Sequence, residues 1–144
     1  MNLFDKAKKE IRAIGISSRF PYLGGMKLKI STRLVLVIGE VAIKFPLGRR
    51  GYLQGKNEKD LYSRYAETGM LAPLLWERFG ITCLQRCDLA ASLPEEAIIE
   101  IKSRIPELDI KRCDLYNIDN WGTREGKPIL IDYGVSEYIS TLYR

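Results

Sequence analysis

The chain reads as an α+β fold: an N-terminal antiparallel sheet, then a smaller, largely helical lobe that carries one hairpin. Three observations predict this. Leu34–Ile38 and Val41–Phe45 are apolar runs separated only by Gly39-Glu40, the spacing of an antiparallel hairpin. Between Lys56 and Thr68, Leu61, Tyr62 and Tyr65 form a stripe at helical steps. Further along, Trp121-Gly122 and Pro128–Ile131 flank the turn signal Arg124-Glu125-Gly126, so a second short hairpin is expected.

The remaining elements follow in order. Leu3, Phe4, Ala7 and Ile11 recur at three- and four-residue steps, which predicts a helix over Leu3–Ala13. Its other face carries Lys6, Lys8, Lys9 and Arg12, so a membrane-surface or partner-binding helix is the alternative to a packed one. After Gly24-Gly25, Met26, Leu28 and Ile30 alternate with Lys27, Lys29 and Ser31, the pattern of a half-buried strand. Pro46 ends the strand that begins at Val41. In the helix that follows, Glu58 shares the inward face with Leu61, Tyr62 and Tyr65 and needs a cationic partner there. Leu71–Trp76 and Ile81–Leu84 read as two more strands turned at Phe79-Gly80, with Pro73 ill suited to the first. Ser92-Leu93-Pro94-Glu95 reads as a helix start with Ser92 as cap, and Ala97, Ile98, Ile101 and Ile105 give that helix its apolar stripe. Ser136 is placed to cap a last turn through Glu137–Tyr143.

The chemistry concentrates between Cys113 and Gly134. Asp114 opens a polar loop, Asn120 closes it, and the strand after the turn stops abruptly at Asp132-Tyr133-Gly134. Antiparallel strands bring their outer ends together, so the end of the Asp114–Asn120 loop is expected beside Asp132. A carboxylate–carboxamide group with no histidine or thiolate cluster suits a hard cation such as Mg²⁺.

Arg112-Cys113-Asp114-Leu115, Asn120 and Asp132-Tyr133-Gly134, preceded by Val41-Ala42-Ile43-Lys44, form a series that resembles the catalytic core of the protein-kinase superfamily. The wording of the second half looks most like the small kinase-like proteins of bacteriophages. The resemblance implies a truncated protein-kinase-like fold in a single domain, with an N-lobe over about residues 20–86 and a reduced C-lobe over 87–144. It implies ATP and Mg²⁺ as cofactors. Ala42 leaves room for the base, and Gln85 and Cys87 belong to the hinge that meets its edge. Lys44 holds phosphates and Glu58 positions Lys44. Asp114 orients the acceptor hydroxyl and takes its proton, while Asn120 and Asp132 hold the metal. The chain also departs from the pattern. Five residues rather than four separate Asp114 from Asn120, so either the loop bulges or Asp119 takes the metal-binding role. The spaced phosphate-loop glycines are absent, leaving the adjacent Gly24 and Gly25, and the substrate-holding helices of a full kinase lobe are missing.

Composition narrows the alternatives. The 144 residues are 46% apolar, enough for one core, with no run near the roughly 18 apolar residues of a membrane span. No secretory signal is evident, so a cytoplasmic location is expected. The net charge of +5 is spread along the chain with acidic residues between, so a solvated surface is favoured over nucleic-acid binding. With three cysteines and no histidine, buried free thiols are expected rather than disulfides or zinc, and histidine-based catalysis is excluded. Two functions remain: a minimal kinase that binds ATP and passes its γ-phosphate to a protein or small-molecule hydroxyl, and a silent kinase-fold module that binds a partner protein.

Overall fold

Side chains alternate across a strand, and on one strand this alternation decides which side of the sheet is inside. The computed structural model describes residues 22–23, 26–110, 113–135 and 139. The expected helix over Leu3–Ala13, the Gly24-Gly25 turn, Arg112 and the closing helix, apart from Ile139, lie outside these residues. The first sheet contains β1 (Tyr22–Leu23), β2 (Met26–Ile30), β3 (Arg33–Ile38), β4 (Val41–Pro46), β5 (Leu74–Arg78) and β6 (Ile81–Gln85), in the order β1-β2-β3-β4-β6-β5 and antiparallel throughout. On β3, Arg33, Val35 and Val37 are buried, while Leu34 and Leu36 are half-buried and Ile38 is exposed. The register pairs Val35 with Lys44 and Lys44 with Thr82, and likewise Val37 with Ala42 and Ala42 with Leu84. Directly paired residues share a face, so Arg33, Lys44 and Thr82 lie on the inner face among apolar neighbours.

Helix α1 (Arg49–Tyr65) packs against that sheet and begins at Arg49, not at Lys56 as the apolar stripe predicts. Its first half lacks an apolar stripe because two glycines make the contact. A Cβ on Gly51 would lie 2.4 Å from the Thr32 carbonyl oxygen, and one on Gly55 would lie 2.0 Å from that of Gly80. These glycines look like helix breakers in the sequence, but they let the helix approach the sheet backbone. The helix ends at Tyr65, and Ala66–Thr68 tightens into a 3₁₀ turn.

The strand expected over Leu71–Trp76 begins only at Leu74. Pro73 has no N–H to donate, and its carbonyl instead accepts from Gln85 N at 2.8 Å. The displaced residues join the two halves of the fold. Leu71 bridges to Leu130 in parallel, Leu130 N donates to Met70 O at 2.8 Å, and Ala72 N donates to Leu130 O at 2.9 Å. Leu130 belongs to a second, three-stranded antiparallel sheet of β7 (Asp88–Leu89), β8 (Trp121–Arg124) and β9 (Lys127–Leu130). The expected hairpin is therefore present, with Glu125 and Gly126 turning at positive φ.

Helix α2 (Glu95–Arg104) has Pro94 at its N-cap position and no side-chain cap, so Ser92 does not play the expected part. Proline at the cap contributes its carbonyl, which accepts from Ile98 N at 3.0 Å. Ile98, Ile101 and Ile105 are buried as the stripe predicts, in one cluster with Leu61, Leu84 and Trp121. The architecture is thus α+β, with two antiparallel sheets and two α-helices among the described residues.

Gly55→Ala should destabilise the protein by about 1–3 kcal/mol in urea unfolding, because helix and sheet must separate to admit the methyl group.

Candidate functional site

Glu58 on α1 is fully buried, and the inner face of the sheet supplies its partners. Lys44 Nζ donates to Glu58 Oε2 at 2.8 Å, so the expected pair is present. A second cation was not anticipated. Arg33 Nη1 donates to Glu58 Oε1, and Arg33 Nη2 reaches Oε2 at 3.4 Å. Thr82 Oγ1 adds a bond to Oε1 at 3.2 Å. A carboxylate removed from water needs such a set of donors, because desolvation otherwise outweighs the attraction of one partner. Burial alone pushes the Glu58 carboxyl up, but the Arg33 and Lys44 charges more than reverse this and hold it below its ordinary value. Burial pulls the Lys44 ammonium down, and its attraction to Glu58 restores only part of the loss.

The network extends to the strand end. Arg33 Nη2 donates to Asp132 Oδ1 at 2.9 Å, and Lys44 Nζ lies 3.9 Å from the same oxygen. Lys44 also donates to Ile131 O at 2.8 Å. The next two residues are clamped. Tyr133 is buried with its hydroxyl donating to Ala72 O at 2.9 Å, and Asn57 Nδ2 donates to Gly134 O at 3.0 Å. A Cβ on Gly134 would lie 2.6 Å from Gln54 O, so only glycine lets this turn lie against α1. Asp132 therefore leaves a fixed backbone with its side chain 38% exposed.

Two adjoining cavities meet at Lys44. The larger, about 210 Å³, is a mainly apolar slot between the sheets. Val35, Val37, Ala42, Ala72, Leu84 and Ile131 supply its apolar lining. Ala42, Lys44, Gln85 and Cys87, all singled out in the sequence, line it. Gln85 lies inside β6, one residue beyond the expected strand. The Gln85 and Arg86 amides are taken by Pro73 O and Glu40 O, at 2.8 and 2.9 Å. The next amide, of Cys87, carries no hydrogen bond within the described residues. The second cavity is a small recess of about 30 Å³ whose polar walls include Arg33, Lys44, Asp119 and Asp132.

Asp114 falls elsewhere, whereas Asn120 closes its loop beside the strand end as expected, its carbonyl accepting from Ile131 N at 2.9 Å. Asp114 is exposed, holds a positive φ of 49°, and lines a separate cavity with Lys102, Asp109 and Tyr116. Asn120 acts as a brace: its Nδ2 donates to Asp114 O at 3.1 Å and to Cys113 O at 3.4 Å. Asn117 N also donates to Asp114 O, at 3.0 Å, while Trp121 Nε1 donates to Leu115 O at 2.7 Å. The extra residue in this loop is taken up by a 3₁₀ turn over Ile118–Asn120, with the Asn117 side chain accepting from Asp119 N. That turn puts Asp119, not Asn120, on the recess with Asp132.

Arg33 escaped the sequence reading because Leu34–Ile38 looks continuously apolar, which hides a period of two. The signal was the triplet Arg33, Val35 and Val37 at alternate positions. The cysteines are free thiols as expected, and burial pushes the Cys113 thiol up to about 12. Among the described residues no three His, Cys, Asp or Glu side chains cluster as metal ligands, and no helix is long and apolar enough to cross a membrane. No family model, curated protein or solved structure matches the chain.

Glu58 gives stability its acid dependence. A carboxyl held below its ordinary value of 4.5 contributes its full stability above that pH and loses it as the pH falls. Glu58→Gln should flatten this acid limb in pH-dependent urea unfolding and lower stability near pH 7 by about 3–5 kcal/mol.

Proposed function

We propose that the chain binds a nucleoside triphosphate, with ATP as the first candidate, in a cleft of the protein-kinase kind. The observation that carries this reading is the Lys44–Glu58 pair at 2.8 Å, at the junction of an apolar slot and a charged recess. A flat base suits the slot between Val35, Ala42 and Ile131, and the Cys87 amide is a donor for its edge. Lys44 then faces the phosphates while Glu58 keeps its ammonium on the inner face of the sheet. Nothing in this cleft asks for nucleic acid, and the partner it fits is a nucleotide.

Binding is supported better than transfer, because Asp114 lines a different cavity from Lys44 and Asp132. The second reading is passage of the γ-phosphoryl group to a protein or small-molecule hydroxyl, with Asp114 as base. It has one observation in its favour: the Asp114 backbone is pinned by Asn117 and Asn120 while the residue stays exposed to an incoming acceptor.

The Mg²⁺ implied by the family resemblance does not suit this donor set. Asp132 Oδ1 already accepts from the Arg33 guanidinium, and Asp119, not Asn120, lines the recess beside it. The binding reading needs only the chain's own cations.

Calorimetric titration with ATP tests the slot. Ala42→Phe, by filling the slot, and Lys44→Ala, by removing a charge-assisted contact, should each weaken binding at least about tenfold, or about 1.4 kcal/mol. Equal affinity in wild type and both variants would remove the proposal. In a γ-phosphate transfer assay, wild type should pass no more label than Asp114→Asn; transfer by wild type alone would establish the second reading.

A further inference from the structure

We infer that Arg33 holds the place beside Asp132 that a divalent cation would take, so that the cleft binds nucleotide phosphates without a metal ion. This rests on the nucleotide reading above and specifies how that site handles charge.

Arg33 is 3% exposed and enters from the inner face of β3. Its fork spans two carboxylates, with Nη1 and Nη2 on Glu58 and Nη2 also on Asp132 Oδ1 at 2.9 Å. Lys44 stands 3.9 Å from the same Asp132 oxygen. Asp132 thus faces two cations fixed by a common buried anion. Mg²⁺ takes ligand oxygens at about 2.0–2.1 Å in a near-octahedral shell and gives up its water reluctantly. To ligate through this oxygen it would have to break a charge-assisted bond and weaken the partnering of a buried guanidinium. It would also sit beside two positive charges.

The charges can be followed one by one. Arg33 and Lys44 face Glu58 and Asp132, and Asp119 also lines the recess. Glu58 is fully buried and fixed, whereas the Asp132 side chain is 38% exposed. An entering phosphate therefore competes with Asp132, not with Glu58, for the Arg33 fork. It takes the Nη2 donor, Asp132 turns towards water, and Glu58 keeps the guanidinium in place. Arginine suits this exchange because its planar fork bonds phosphate and carboxylate in the same geometry. Arg33 also provides side-chain donors where the chain lacks the spaced glycines of a phosphate loop.

The sign of one substitution separates this arrangement from a metal site. Asp132→Asn removes the competing anion at a partly exposed position. ATP titrated calorimetrically into wild type should bind equally well with Mg²⁺ and with EDTA, and Asp132→Asn should bind several-fold tighter in both. A wild-type requirement for Mg²⁺, or weaker binding by Asp132→Asn, would overturn the inference. A second arm needs no nucleotide. Mn²⁺ alone, followed by electron paramagnetic resonance, should leave wild type unbound at millimolar metal and bind Arg33→Met through Asp132 and Asp119. Mn²⁺ binding by wild type, or none by a folded Arg33→Met, would overturn it. If neither wild type nor Asp132→Asn takes up ATP under either condition, the nucleotide reading fails. The Mn²⁺ arm then still decides whether Arg33 holds the metal's place.

Discussion

Everything at the centre of this protein depends on one buried carboxylate. Glu58 lies on a helix, its cations lie on two neighbouring strands, and Asp132, which shares those cations, comes from the far hairpin. A fully buried charge cannot tolerate the loss of its partners, so the four residues fix one another's positions. The helix must reach the sheet closely enough for Glu58 to find Arg33, Lys44 and Thr82 at once. Gly51 and Gly55 permit that approach, and Gly134 permits the Asp132 turn to follow.

The same constraint joins the two sheets. Lys44 bonds to Glu58 and to the Ile131 carbonyl, linking the first sheet to the end of the second. Met70, Leu71 and Ala72 complete the junction from the other side by pairing with Leu130. The apolar slot is lined by Ala42 from the first sheet and by Ile131 from the end of the second hairpin. Its mouth is lined by residues whose backbone positions are held from both sheets, the kind of preorganisation that limits the entropy lost when a rigid ligand binds.

Sequence periodicity revealed the elements better than their contacts. The Leu34–Phe45 hairpin, the Glu58 helix and the Trp121–Ile131 hairpin were legible because apolar spacing and turn residues agree. The start of α1 was not, because Gly51 and Gly55 act through close approach, which single-sequence patterns read as a break. Glu58 was legible from the helical stripe, and Lys44, Ala42, Gln85, Cys87 and Asp132 from the family resemblance; the structure gathers them around one junction. Arg33 was hidden because Leu34 and Leu36, only half-buried, make β3 look uniformly apolar. Asn120 was assigned by its order along the chain. The 3₁₀ turn that absorbs the extra residue could not be read from spacing, and it moves Asp119 to the recess and leaves Asn120 bracing the loop.

The central claim is that Arg33 and Glu58 are partners in one buried network and not independent neighbours. A double-mutant cycle with Arg33→Met, Glu58→Gln and the pair, measured by urea unfolding near neutral pH, tests this most directly. The network predicts a coupling of about 1–3 kcal/mol, with the double variant more stable than the sum of the single losses. Effects that add to within about 0.5 kcal/mol would contradict it.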